Sequence, residues 1–157
     1  MRLRIFLVAT LAALVVPSAA VARPMKAHPH SHASASSVVG TWNVQVKEQE
    51  QNAPPPYPAL ATLTVGHGVI ATESDNPGTG LGSWKQIDRN RFSYAFQTFI
   101  FTPDGKPGGY AAVRGVATVT GATWSGPFKF VVVDTTGKTL ASGFGTATAT
   151  RFVIPPL

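Results

Sequence analysis

Residues 38 to 154 predict an all-β domain, and specifically an eight-stranded antiparallel up-and-down β-barrel. Three observations lead there. From Val38 onward apolar and polar residues alternate with period two, as in Asn43-Val44-Gln45-Val46-Lys47, and β-branched or aromatic residues fill the runs. The runs are divided by short Gly, Asn, Asp and Pro segments suited to hairpins, which make consecutive strands antiparallel neighbours. No helical periodicity of useful length follows, and an open sheet would leave two bare edges that closing the last strand on the first removes.

Taken in order, strands are expected at 38–47, 59–66, 68–74, 82–88, 91–101, 109–120, 123–134 and 138–153. Four connections are tight: Gly66-His67-Gly68, Asp88-Arg89-Asn90, Thr120-Gly121-Ala122 and Thr135-Thr136-Gly137. Three are longer. The first, 48–58, stiffens through Pro54-Pro55-Pro56-Tyr57-Pro58 and has the position and length of a lid, with Tyr57 as a wall residue. The others are the Gly/Pro segment 75–81 and the stretch 103–108. In an alternating barrel all three open at one end, where a ligand would enter.

Trp42, Trp84 and Trp124 follow one another at intervals of 42 and 40 residues, which raises a threefold β-trefoil as a rival. The long strands in the second half argue for the barrel instead. In that reading Trp42 and Trp124 share one end and Trp84 lies at the other.

The N-terminal segment has a different character. Arg2 and Arg4, the apolar run Ile5 to Val16 and the small-residue site Ala20-Val21-Ala22 read as a secretory signal peptide over 1–22. The expected location is therefore periplasmic or extracellular. Residues 23–37 are rich in Pro, Ala, Ser and His and are expected to be a disordered tail. There His28, His30 and His32 alternate as weak metal-ligand candidates, and no cofactor is expected. The chain has no cysteine, so neither a disulfide nor a lipoprotein anchor is available, and no later stretch is long enough to span a bilayer. The net charge of +6 comes from scattered basic residues rather than a stripe, which excludes a nucleic-acid groove. Nothing in the sequence specifies an oligomeric state.

The opening Gly40-Thr41-Trp42 and Arg151 at the close of the last strand give the chain a likeness. It resembles the lipocalin-like (calycin) β-barrels and, as a second choice, the allene-oxide-cyclase-like barrels. The resemblance implies that Trp42 plugs the closed end of the barrel and that Arg151 packs across its indole. Both residues would then be structural.

The interior can be anticipated from side-chain parity. Phe92, Tyr94 and Phe96 share one face of the fifth strand while Phe99 and Phe101 share the other, which suggests a bulge near Gln97. Trp124, Phe128 and Phe130 lie together on the seventh strand, and Gly143, Gly145, Ala147 and Ala149 form a small-residue face on the eighth. An aromatic-lined cavity follows if these faces point inward. The expected ligand-binding residues are Tyr57, Phe92, Tyr94, Phe96, Tyr110, Arg114, Phe128 and Phe130. Glu73 and Asp75 end the third strand beside a Gly/Pro loop, where carboxylates in unlike surroundings can do acid/base work. Glu73, Tyr94, Tyr110 and Arg114 are thus the catalytic candidates, although no nucleophile elbow, HExxH, P-loop or dinucleotide fingerprint is present. The leading expectation is an exported barrel that binds a small hydrophobic or amphipathic molecule. A barrel-type isomerase or cyclase acting on a flexible apolar substrate is the alternative, and an envelope structural or interaction protein the third.

Overall fold

A computed structural model describes residues 38–154, and eight strands in them close into a ring in sequence order, each antiparallel to its neighbours. The strands are β1 (Gly40–Glu48), β2 (Tyr57–Leu63), β3 (Gly68–Glu73), β4 (Asn76–Gln86), β5 (Arg91–Phe101), β6 (Pro107–Thr120), β7 (Thr123–Val133) and β8 (Thr139–Arg151). The ring closes where β8 pairs with β1, with Trp42 opposite Arg151 and Val46 opposite Ala147. There are no helices among the described residues, hence none long and apolar enough to cross a membrane. The expected signal peptide 1–22, the tail 23–37 and the candidate ligands His28, His30 and His32 lie outside the described residues.

The turns follow from Asx chemistry. Asp88 Oδ1 accepts hydrogen bonds from the backbone N–H groups of Asn90 and Arg91, each at 3.0 Å. Asp134 Oδ1 does the same for Thr136 at 2.8 Å and Lys138 at 2.9 Å. Each carboxylate supplies the acceptor that a two-to-three-residue reversal leaves missing.

Trp42 sets the closed end. Its side chain is fully buried and its Nε1 donates to the Val38 carbonyl at 2.9 Å. The Arg151 guanidinium lies over the indole, 4.2 Å from the ring centroid, and donates to the Val39 carbonyl at 2.7 Å. Gly40 makes this possible on two grounds. Its φ is +130°, and a Cβ there would stand 2.6 Å from the Arg151 guanidinium. Replacing Arg151 by Met removes the cation–π contact and one hydrogen bond, and is expected to lower stability by about 1 to 3 kcal/mol. Urea unfolding of the variant measures this; an unchanged midpoint would show that the guanidinium is idle.

Four aromatic rings complete the floor edge to face. Trp42 meets Trp124 at 6.3 Å between centroids, Trp124 meets Phe92 at 5.8 Å, and Phe92 meets Trp84 at 6.4 Å. Trp84 is therefore at the same end as Trp42 and Trp124, contrary to the expectation that it sits at the other. The displacement has a simple origin. β4 begins at Asn76, not at 82, so Trp84 falls near the end of the strand rather than its start. The tryptophans converge on one floor and mark no threefold repeat, and the trefoil alternative falls with the closed ring.

The segment 75–81, expected to be a loop, is mostly strand because its glycines face inward. Gly78, Gly80 and Trp84 are inward positions of β4, and a Cβ on Gly80 would stand 2.6 Å from the Phe96 ring. The side chain missing at Gly80 is the space that this ring occupies, and at Gly78 an added Cβ would meet Thr98 Oγ1 at 2.7 Å. The bulge expected near Gln97 is likewise absent. β5 pairs with β6 without interruption from Arg91 to Ile100, and its register shifts only between Ile100 and Phe101. Thr98 takes the inward position between Phe96 and Ile100, accepting a hydrogen bond from Asn76 Nδ2 at 3.3 Å, while Phe99 points out.

Candidate functional site

Above the aromatic floor the barrel is hollow. A cavity of about 300 Å³ lies toward the end where the β1–β2, β3–β4 and β5–β6 connections gather. Its shape follows from unequal side chains on facing walls. Tyr94, Phe96, Phe128 and Phe130 supply one side, and Ala59, Ala61, Ala71 and Ala147 supply the other. The small face expected on β8 does point inward, with Gly145, Ala147 and Ala149 buried. Gly145 accommodates an aromatic neighbour, since a Cβ there would come within 2.6 Å of the Phe128 ring. Gly115 does the same for Tyr94, whose hydroxyl would be 2.5 Å from an added Cβ.

Five of the expected ligand-binding residues meet in this cavity: Tyr57, Tyr94, Phe96, Phe128 and Phe130. Phe92 does not, because it lies one inward step nearer the closed end and is packed into the floor at 1% exposure. Arg114 is on the outer surface, with Tyr110 on the same outward face of β6, opposite the exposed Phe99. Alternation puts the two on one face, since they are four residues apart. What it could not supply is which face turns inward, and Ala111, Val113, Gly115 and Ala117 are the residues that do. Of the four catalytic candidates, Glu73 and Tyr94 therefore share the cavity, and Tyr110 and Arg114 lie outside it.

The polar groups concentrate near the opening. Tyr57 donates its hydroxyl to Glu48 Oε1 at 3.1 Å. Burial pushes the Glu73 carboxyl up to about 7, with the nearby charges of Asp75 and Glu48 adding to the effect. Burial also raises Glu48, a rise opposed by its bond to Tyr57. The Tyr94 hydroxyl is held well above its ordinary range, first by burial and then by the charge of Glu73. Glu48 escaped the sequence reading although the signal was present, since it continues the inward series Trp42, Val44, Val46 by one more step.

Of the connection 48–58, Glu48 and Tyr57 line the cavity, while residues 49–56 do not. Its first residues are tied to β8 instead. Gln49 donates its backbone N–H to the Phe144 carbonyl at 3.0 Å, and Glu50 Oε1 accepts from the Phe144 N–H at 3.2 Å. These bonds prolong the β1–β8 ladder past the end of the strand.

His67 occupies a hairpin tip with φ of 64° and rests on Trp84 at 4.8 Å, away from the cavity. Among the described residues there is no group of three or more His, Asp and Glu side chains placed to hold a metal ion. No protein-family model matches the chain, and no curated protein matches it.

Proposed function

We propose that this protein binds a small apolar or amphipathic molecule inside its barrel, without covalent chemistry, as a member of the lipocalin-like group of barrels acting outside the cytoplasm. The observation that carries the binding role is the cavity of about 300 Å³, floored by edge-to-face aromatics and walled by apolar side chains. That volume is at the lower end of the range in which proteins enclose small ligands, roughly 300 to 1,000 Å³. Trp42 under Arg151 at the floor supports the lipocalin-like grouping. The charged start, apolar run and small-residue site of the first 22 residues support export.

Titration with a hydrophobic fluorescent probe is the test. Saturable binding with one probe per barrel is expected. Ala59→Phe, which adds a ring inside the cavity, is expected to weaken it by more than about tenfold with little change in melting temperature. Probe binding that ignores the added ring would mean that the cavity is not the site.

A second reading keeps the same cavity and adds catalysis of the isomerase or cyclase kind. It is favoured by Glu73 and Tyr94 facing one space, with a carboxyl poised near 7 for proton transfer. Incubating apolar extracts with the wild-type protein and with Glu73→Gln, then comparing products by mass spectrometry, decides it. Identical product profiles would sink this reading.

A further inference from the structure

The strand register gathers cations that lie far apart in the sequence. Arg114 on β6 stands directly opposite Lys129 on β7, both on the outer wall, and Lys85 of β4 lines the same shallow depression of that wall. Like charges directly across a ladder repel and lower stability unless an acidic neighbour offsets them. No acidic side chain is paired with them here. All seven acidic side chains of the chain lie among the described residues, so each can be located. Glu48 and Glu73, the acidic residues on strands, face the cavity with Asp75, while Asp88, Asp104 and Asp134 bond within their own turns. Glu50, at the edge of the wall, accepts from the Phe144 N–H. The ion pairs among the described residues join Arg91 to Asp88 and Lys106 to Asp104, and neither uses Lys85, Arg114 or Lys129.

A second, independent observation lies on the same wall. Phe99 on β5 is 69% exposed and Leu81 on β4 is 64% exposed, both at outward positions. Phe99 stands opposite Tyr110, and Leu81 continues through Gln97 to Ala112 and Val131, so two successive rows are mainly apolar. Arg114 and Lys129 occupy the next row, where the exposed Phe144 stands opposite Lys129. Nearer the closed end the outward positions of β6, β7 and β8 carry hydroxyls: Thr118, Thr120, Thr123, Ser125, Thr148 and Thr150. The apolar and basic residues therefore form one bounded patch. Such a patch, larger than scattered surface apolar residues make, marks a contact with something outside the molecule.

Going beyond the role proposed for the cavity, we infer that this wall docks on an anionic phospholipid bilayer. The barrel lies on its side, with Phe99, Leu81 and Phe144 entering the boundary between headgroups and acyl chains. Arg114, Lys129 and Lys85 meet the lipid phosphates around them, which removes the repulsion between the opposed pair. A second copy of the chain is a poorer partner, because a two-fold contact through this patch sets the same cations against each other. An acidic protein is poorer too. The wall of a closed ring is convex across its strands, and a fluid leaflet conforms to a convex face without a matching surface.

Co-sedimentation of the exported, processed protein with vesicles tests this, using phosphatidylcholine alone and phosphatidylcholine with about one third phosphatidylglycerol. At about 0.1 M salt, binding to the anionic vesicles is expected to be at least about tenfold stronger, and most of it is lost at about 0.5 M. Arg114→Gln with Lys129→Gln is expected to weaken that binding by about tenfold. The melting temperature of this double variant should hold or rise, since a repulsion has been removed. Phe99→Ser is expected to weaken binding by about tenfold while keeping the preference for anionic vesicles. Equal binding to both kinds of vesicle, or binding that ignores all three substitutions, would overturn the docking surface. So would capture of poly-glutamate without capture of vesicles, which assigns the wall to an acidic protein, or a dimer that Phe99→Ser dissociates, which assigns it to a second copy. None of these outcomes touches the dye titration of the cavity, so the two readings stand or fall separately.

Discussion

Replacing Trp42 by alanine is expected to destabilise the barrel by about 4 kcal/mol, the range found when a large buried aromatic is truncated. Against a total of roughly 5 to 15 kcal/mol for a domain, this leaves a marginal or unfolded protein at 37 °C. The size of the effect reflects several losses at once. The indole is fully buried, meets Trp124 edge to face, bonds to the Val38 carbonyl and supports the Arg151 guanidinium. Removing it leaves a void at the point where β1 meets β8, with two backbone carbonyls and a guanidinium rearranged around it. Trp42→Phe isolates part of this, since it keeps a ring and loses the Nε1 bond, and should cost about 1 to 2 kcal/mol. A double-mutant cycle with Arg151→Met gives the direct coupling, expected near 1 kcal/mol. Denaturant unfolding of the four proteins is sufficient, and full additivity would mean that the stacked geometry contributes nothing.

The second large effect is a pH dependence centred on Glu73. Its carboxyl is ordinary in the unfolded chain, near 4.5, and is raised to about 7 in the folded one. Below 4.5 both states hold the proton and stability is at its full value. Between 4.5 and 7 the folded state holds a proton that the unfolded state releases, so stability falls as pH rises through this window. At about 1.4 kcal/mol per pH unit the loss is at most about 3 kcal/mol, and water in the cavity reduces it toward 1 to 2. Glu73→Gln keeps the shape and removes the titration. It is expected to be about as stable as wild type at pH 4.5 and more stable by about 1 to 3 kcal/mol at pH 8. Asp88, Asp104 and Asp134, each held below its ordinary range by turn hydrogen bonds, act in the opposite sense but are present in both proteins and cancel in the difference. Parallel stability curves for the two proteins would show that Glu73 is not buried as described.

The parts of the barrel that the sequence displays are those where side chains mark the period. Val44, Val46 and the aromatics of β5 announce a strand because each alternate residue is large and apolar. β4 is hidden for the converse reason. Its inward positions Gly78 and Gly80 show no period and ordinarily signal a turn, and only their β5 neighbours, the Phe99 carbonyl and Thr98 side chain at Gly78 and the Phe96 ring at Gly80, explain why the strand needs them. The site divides along the same line. Tyr94, Phe96, Phe128 and Phe130 can be found by parity alone, whereas assigning Tyr110 and Arg114 requires knowing which side of β6 is inside. Glu48 is harder still. Its significance lies in what surrounds it, and that depends on strands far away in the chain.

The β1–β8 junction also governs the timetable of assembly. Seven of the eight strand pairings join consecutive strands and can form as local hairpins while the chain is still emerging. The eighth spans almost the whole domain, its Arg151 to Val39 bond linking residues 112 apart, and such long-range closure is the slow step in folding. Until residue 151 is free, β1 and β7 present unpaired edges on which a second chain can add. A nascent or truncated molecule lacking β8 is thus a sheet prone to self-association. A fusion partner attached beyond β8 will be tolerated only if its spacer lets the arginine reach the indole.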